Sequence, residues 1–110
     1  MNHELQDAIS LELARRVAER LRASPEPLSV ARENLNRWSR QNADSPSLLR
    51  CYAEWQAILT LPLEKIGEFL CASTEEGQRL RQNSPFAGVL TPAEVWEIKS
   101  RLRRHAATPT

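Results

Sequence analysis

Leu5, Ile9, Leu13, Val17 and Leu21 recur every fourth residue, with Ala14 and Ala18 beside them. Spacing near 3.6 lays these side chains along one stripe of an α-helix, and it cannot serve a strand, whose faces alternate every second residue. The pattern repeats down the chain. Leu28, Ala31, Leu35 and Trp38 form a second stripe, and Leu48, Leu49, Tyr52, Trp55 and Leu59 a third. Leu63, Ile66, Phe69 and Leu70 are expected inward on a short fourth helix, and Val95, Ile98 and Leu102 on a last one. No stretch alternates, and the prolines fall between the periodic runs as punctuation. The expected fold is all-α: a compact bundle or orthogonal array of five to six short amphipathic helices.

Local signals set the boundaries. The first helix is expected over 4–23, ending before the stiff connector Ser24-Pro25-Glu26-Pro27, and the second over 28–41 with Ser24 or Ser29 as cap. Ser45-Pro46 offers a capping serine followed by proline at the first helical position, starting a helix to about residue 59. Ser73-Thr74-Glu75-Glu76 reads as a capping box with Ser73 as cap, opening a polar fifth helix to about residue 82. Residues 83–88 form a loop, and Thr91-Pro92-Ala93-Glu94 is a second capping box. The domain is expected to span 1–105, with 106–110 as a disordered tail.

A chain of 110 residues suffices for one core. With 41% hydrophobic and 26% charged residues it lacks the composition of a disordered chain. A formal net charge of +1 argues against a dedicated nucleic-acid coat. Of 15 basic residues only Lys65 and Lys99 are lysines, and arginine suits bidentate contacts better. No apolar run has membrane-spanning length. The opening Met1-Asn2-His3-Glu4, followed by Asp7 and Glu12, fits neither a signal nor a transit peptide, so a cytoplasmic protein is expected.

Catalytic constellations are missing from the pattern. His3 and His105 lie at opposite ends, and Cys51 and Cys71 lack metal-ligand spacing and a neighbouring base. Glu64 and Glu68 share a helix face, but no second carboxylate helix bearing histidine accompanies them. There is no glycine-rich phosphate loop. We expect no enzyme activity, no metal and no cofactor, so the protein should work by binding.

Residues 66–81, I-G-E-F-L-C-A-S-T-E-E-G-Q-R-L-R, resemble a helix-turn-helix. Thr74, Glu75, Gln78 and Arg79 would then face the DNA groove. Gly77 departs from the apolar residue that the pattern wants between its helices, and Ala72 is smaller than the usual turn residue. The stretch R-L-R-Q-N-S-P-F-A-G-V-L-T-P, within 55–96, is similar to a motif of small all-helical bacterial proteins of the kind often encoded beside toxin genes. That resemblance implies an antitoxin-like role in which the chain binds a cognate toxin.

The partner-binding candidates are Arg79, Arg81, Ser84, Pro85, Phe86 and Trp96. Arg79 and Arg81 offer guanidinium forks, Ser84-Pro85 stiffens a loop to present Phe86, and Trp96 points off the Val95, Ile98, Leu102 stripe. Phe86 could instead plug the end of the bundle, as is expected of Val89 and Leu90. Charge is segregated as well. Glu54, Glu64, Glu68, Glu75 and Glu76 crowd the middle, while Arg79, Arg81, Lys99, Arg101, Arg103 and Arg104 dominate the end, which favours oriented association. The lead expectation is a protein-binding domain that neutralises a partner. A DNA-binding regulator using residues 63–82 is the alternative, and a self-associating homo-oligomer a third reading.

Overall fold

The prolines that interrupt the apolar pattern mark most of the helix breaks. The structure, a computed structural model, describes residues 3–107. Among these it has six helices and no strand: α1 His3–Ala23, α2 Glu26–Gln41, α3 Pro46–Ile58, α4 Leu63–Leu70, α5 Glu75–Gln82 and α6 Pro92–Ala107. The architecture is all-α, as the periodicity requires, and none of these helices is long and apolar enough to cross a membrane.

α1 is the central element and packs against α2, α4, α5 and α6. Its inward stripe buries Ile9, Ala14, Val17, Ala18 and Leu21. The small Ala18 lets α4 approach closely: a Cβ placed on Gly67 would lie 3.8 Å from the Ala18 Cβ. α3 packs on α2 and α4 and delivers Trp55 into the core, where it is fully buried in the same cluster as Leu21, Leu35, Ile66, Leu70 and Ile98. A buried indole needs a partner for its N–H, and Trp55 Nε1 donates to the Leu80 carbonyl at 3.0 Å. Trp38 and Tyr52 form a second aromatic pair, 5.9 Å between centroids, between α2 and α3.

Several local expectations are corrected. α2 begins at Glu26, because Pro25 takes the cap position and Pro27 fits the first turn, where no N–H is required. The Ser45 side chain makes no capping hydrogen bond. The cap of α5 is Thr74, not Ser73: its Oγ1 accepts from the Gly77 N–H at 3.0 Å, so Glu76 is not in the reciprocal position and pairs with Arg79 instead. Leu63 and Phe69 are exposed. An eight-residue helix packed along one stripe buries the i, i+4 pair Ile66 and Leu70 and leaves the neighbouring columns outside. α6 continues through Ala107, so residues 106 and 107 are helical, not tail; the rest of the expected tail, 108–110, lies outside the described residues.

The turn between α4 and α5 is tight. A Cβ on Gly77 would lie 2.3 Å from the Ala72 carbonyl oxygen, which is backbone and cannot yield cheaply. Glycine is therefore needed where a helix-turn-helix pattern would place an apolar residue. The two helical glycines should respond differently to the same substitution. Gly77→Ala is expected to destabilise by about 2 kcal/mol through overpacking. Gly67→Ala meets only ordinary contact and should be neutral or stabilising by up to about 1 kcal/mol. Urea unfolding of the two variants checks this.

Candidate functional site

The sequence-selected segment folds into the body of the protein. Phe86 is buried and meets Trp55 edge to face, with centroids 6.1 Å apart. Asn34, itself buried on α2, donates through Nδ2 to the carbonyls of Pro85 at 2.8 Å and Ala87 at 2.9 Å. Its Oδ1 accepts from Arg37 at 2.6 Å. Pro85 is fully buried beneath this clamp. Gly88 turns the chain with φ 90°, a conformation that favours glycine. Arg20 then reaches the Val89 carbonyl at 3.4 Å. The expectation that Ser84-Pro85 presents Phe86 is thus corrected: the ring is a plug, held where its apolar area leaves water.

Arg81 is also corrected from surface contact to interior residue, only 8% exposed. Its NH1 donates to the carbonyls of Leu70 at 3.0 Å and Ala72 at 2.7 Å. These are acceptors at and beyond the end of α4, where helix carbonyls lack intrahelical partners. Arg81 Nε is buried with no hydrogen-bond partner, and no carboxylate pairs with the guanidinium among the described residues. Leaving such a donor unsatisfied costs about 1–3 kcal/mol. Arg81 lines a cavity of about 350 Å³ between α1, residues 84–90 and α6. Ile9, Leu13 and Val17 form one wall, and Phe86, Leu90 and Val95 the other. Ser84, half-buried, also lines it, its Oγ accepting from the Phe86 N–H at 3.4 Å.

Arg79 lies elsewhere, on the outer side of α5. It donates to both carboxylate oxygens of Glu54, at 3.2 and 2.6 Å, and to Glu76. The Arg79 hydrogen bond holds the Glu54 carboxyl below its ordinary range, and the two carboxylates raise the Arg79 guanidinium further still. Of the other groove candidates, Thr74 caps α5 with its hydroxyl, Gln78 reaches Asp7 at 3.4 Å, and Glu75 is exposed. None of the four offers an unpaired positive charge to a phosphate.

Trp96 is 70% exposed, more than any other large hydrophobic side chain among the described residues. It borders a shallow surface depression with Gly88, Leu90, Pro92, Val95 and Lys99. Lys99 and Arg103 follow it at i+3 and i+7, on the same side of α6. Neither has an ion-pair partner among the described residues, whereas Arg101 pairs with Glu12 at 3.6 Å. The start of α6 is fixed by the expected reciprocal box: Thr91 Oγ1 accepts from the Glu94 N–H at 3.1 Å, and Glu94 Oε1 accepts from the Thr91 N–H at 3.0 Å. Glu94 also pairs with Arg20 and stands 3.9 Å from Arg16, tying α6 to α1. The Thr91 backbone bond, with Arg20 assisting, lowers the Glu94 pKa.

The six partner-binding candidates therefore do not converge. Arg81, Ser84 and Phe86 line the inner cavity, Pro85 is sealed beneath Asn34, Arg79 is on α5, and Trp96 stands on the α6 surface. Gly88, Leu90 and Val95 border both the cavity and the Trp96 depression. Asn34 was missed in the sequence, although a polar residue three positions after Ala31 on an apolar stripe was the available signal. Cys51 and Cys71 are free thiols, and burial pushes the Cys71 thiol up despite Arg15, Arg81 and Arg22 nearby. Glu64 and Glu68 are exposed, with Glu68 paired to Lys65 at 3.3 Å. Comparison with family models, with curated proteins and with solved structures yields no match.

The lowered carboxyls of Glu54 and Glu94 make stability depend on acid. A carboxyl whose native pKa lies below the ordinary 4.5 contributes fully above that value and loses its contribution as pH falls through the native one. The urea midpoint should therefore hold from about pH 7 to about pH 4.5 and fall below that. Combining Glu54→Gln with Glu94→Gln should flatten the acid limb. An unchanged slope in the double variant would assign acid sensitivity to other groups.

Proposed function

We propose that the protein is a non-catalytic binding module of the cytoplasm, antitoxin-like in role, that docks a cognate protein through the Trp96 face of α6. The single observation that carries this reading is the exposure of Trp96. Water contact with a large indole is unfavourable, and tryptophan flanked by a shallow, largely apolar depression is the composition of an interface anchor. The neighbouring charges specify the partner. Lys99 and Arg103 favour a segment that combines an apolar side chain with carboxylates. Arg79, Arg81 and Phe86 leave the partner-binding set, since internal contacts occupy them. Phe86→Ala would cost about 3–5 kcal/mol of core packing and so would report on folding, not docking.

The DNA-binding alternative draws support from the tight turn between α4 and α5 and the exposed Glu75 and Thr74. It is the weaker reading, because Arg79 is already neutralised by Glu54 and Glu76. Phosphate binding needs free cations.

Co-expression with the product of the adjacent gene, followed by size-exclusion chromatography with light scattering, tests the lead. A complex is expected. Trp96→Ala should weaken it by about 2 kcal/mol, roughly thirtyfold. Thermal stability should be unchanged, because the ring is outside the core. Lys99→Glu with Arg103→Glu should weaken it further. No complex, or one indifferent to Trp96, rejects the reading. A shift of the gene's own promoter DNA at low salt, without a protein complex, would favour the alternative.

A further inference from the structure

We infer that the cavity between α1, residues 84–90 and α6 is a binding site for a small amphipathic carboxylate, with Arg81 as the group that recognises its charged end. The inference does not depend on the Trp96 face docking a protein. Three observations converge on it. The cavity volume of about 350 Å³ falls within the roughly 300–1,000 Å³ typical of small-molecule sites. Its walls are hydrophobic along their length, from Ile9 and Leu13 on one side to Phe86 and Leu90 on the other. Among its lining residues one is charged, and that is Arg81.

The state of Arg81 selects the ligand class. NH1 alone satisfies the two carbonyls at the end of α4, so the structural task uses one nitrogen of the fork. Nε remains an unpartnered buried donor, and among the described residues no carboxylate pairs with this cation. A ligand carboxylate in the cavity would supply the missing counter-charge. A small shift of the side chain that opens the enclosed Nε would let it supply the missing acceptor too, a guanidinium edge matching it in a bidentate geometry. A neutral ligand would supply neither. Water could hydrate the guanidinium but would bring it no counter-charge. Ser10 and Ser84 line the same cavity, and a serine hydroxyl can donate to the second carboxylate oxygen. An aliphatic chain then lies along the α1 wall.

Octanoate and 1-octanol are matched probes, identical in chain and different in head group. In isothermal titration of the intact protein near neutral pH, octanoate should bind saturably and at least tenfold more tightly than octanol. In a heteronuclear spectrum the Arg81 Nε–Hε resonance, assigned with Arg81→Lys, should move on saturation with octanoate. Ser10→Phe, at a half-buried cavity-lining position on α1, should fill the space and weaken octanoate at least tenfold with little change in melting temperature. Equal affinity for the alcohol, an unmoved Nε–Hε resonance at saturation, undiminished binding to Ser10→Phe, or no saturable binding at all would each overturn the assignment.

Discussion

The seating of Phe86 against Trp55, clamped by Asn34, is the contact on which the functional surface depends. It draws a polar-flanked loop between two helices into the core. Two apolar rings meet there, and the loop carbonyls of Pro85 and Ala87 find a side-chain donor that replaces water. With the plug seated, residues 88–90 form a fixed partition. One side of it faces the cavity over α1, and the other borders the depression beside Trp96. The anchoring needs three elements at once: Asn34 from α2, Trp55 from α3, and the loop itself.

Electrostatics follows from the same packing. The acidic middle and basic end of the chain read as an external polarity in one dimension. In three dimensions part of it is consumed internally. Arg79 crosses to Glu54, Arg20 to Glu94, and Arg101 to Glu12. These are exposed or half-exposed pairs, of modest value for stability and screened by salt. Their consequence is selection. Among the described residues they leave Lys99 and Arg103 without an ion pair on the side of α6 that carries the exposed indole, while Arg81 is taken inside without a counter-charge. The fold thus separates three arginine environments that the local sequence R-L-R and R-L-R-R cannot distinguish.

Much of the scaffold was legible in the sequence. Leu5 to Leu21 fixed α1 by spacing alone, and Thr91 to Glu94 fixed the start of α6 by capping chemistry. Both are local effects, decided within one or two turns. Where local signals competed, the sequence misled. Ser73 and Thr74 are both good caps, and the close approach of Gly77 to Ala72 belongs to the conformation in which Thr74 takes the position. Leu63 and Phe69 fit an apolar stripe, yet a two-turn helix buries only one column of it.

What the sequence by itself determined is the all-α class and five to six helical segments with bounds good to a few residues. The offset of Trp96 from Val95, Ile98 and Leu102 marked it as a candidate for exposure, and the tertiary structure leaves it 70% exposed. Periodicity and capping carry that information because they depend on neighbours three or four positions away. The tertiary structure alone decided that Phe86 is a plug, that Arg81 is an interior cation, and that Arg79 is tied to Glu54. Each of those outcomes rests on a partner distant in sequence: Trp55, the end of α4, and the outer face of α3. A side chain's burial and its free valences depend on which residues meet it, and no local pattern encodes that meeting.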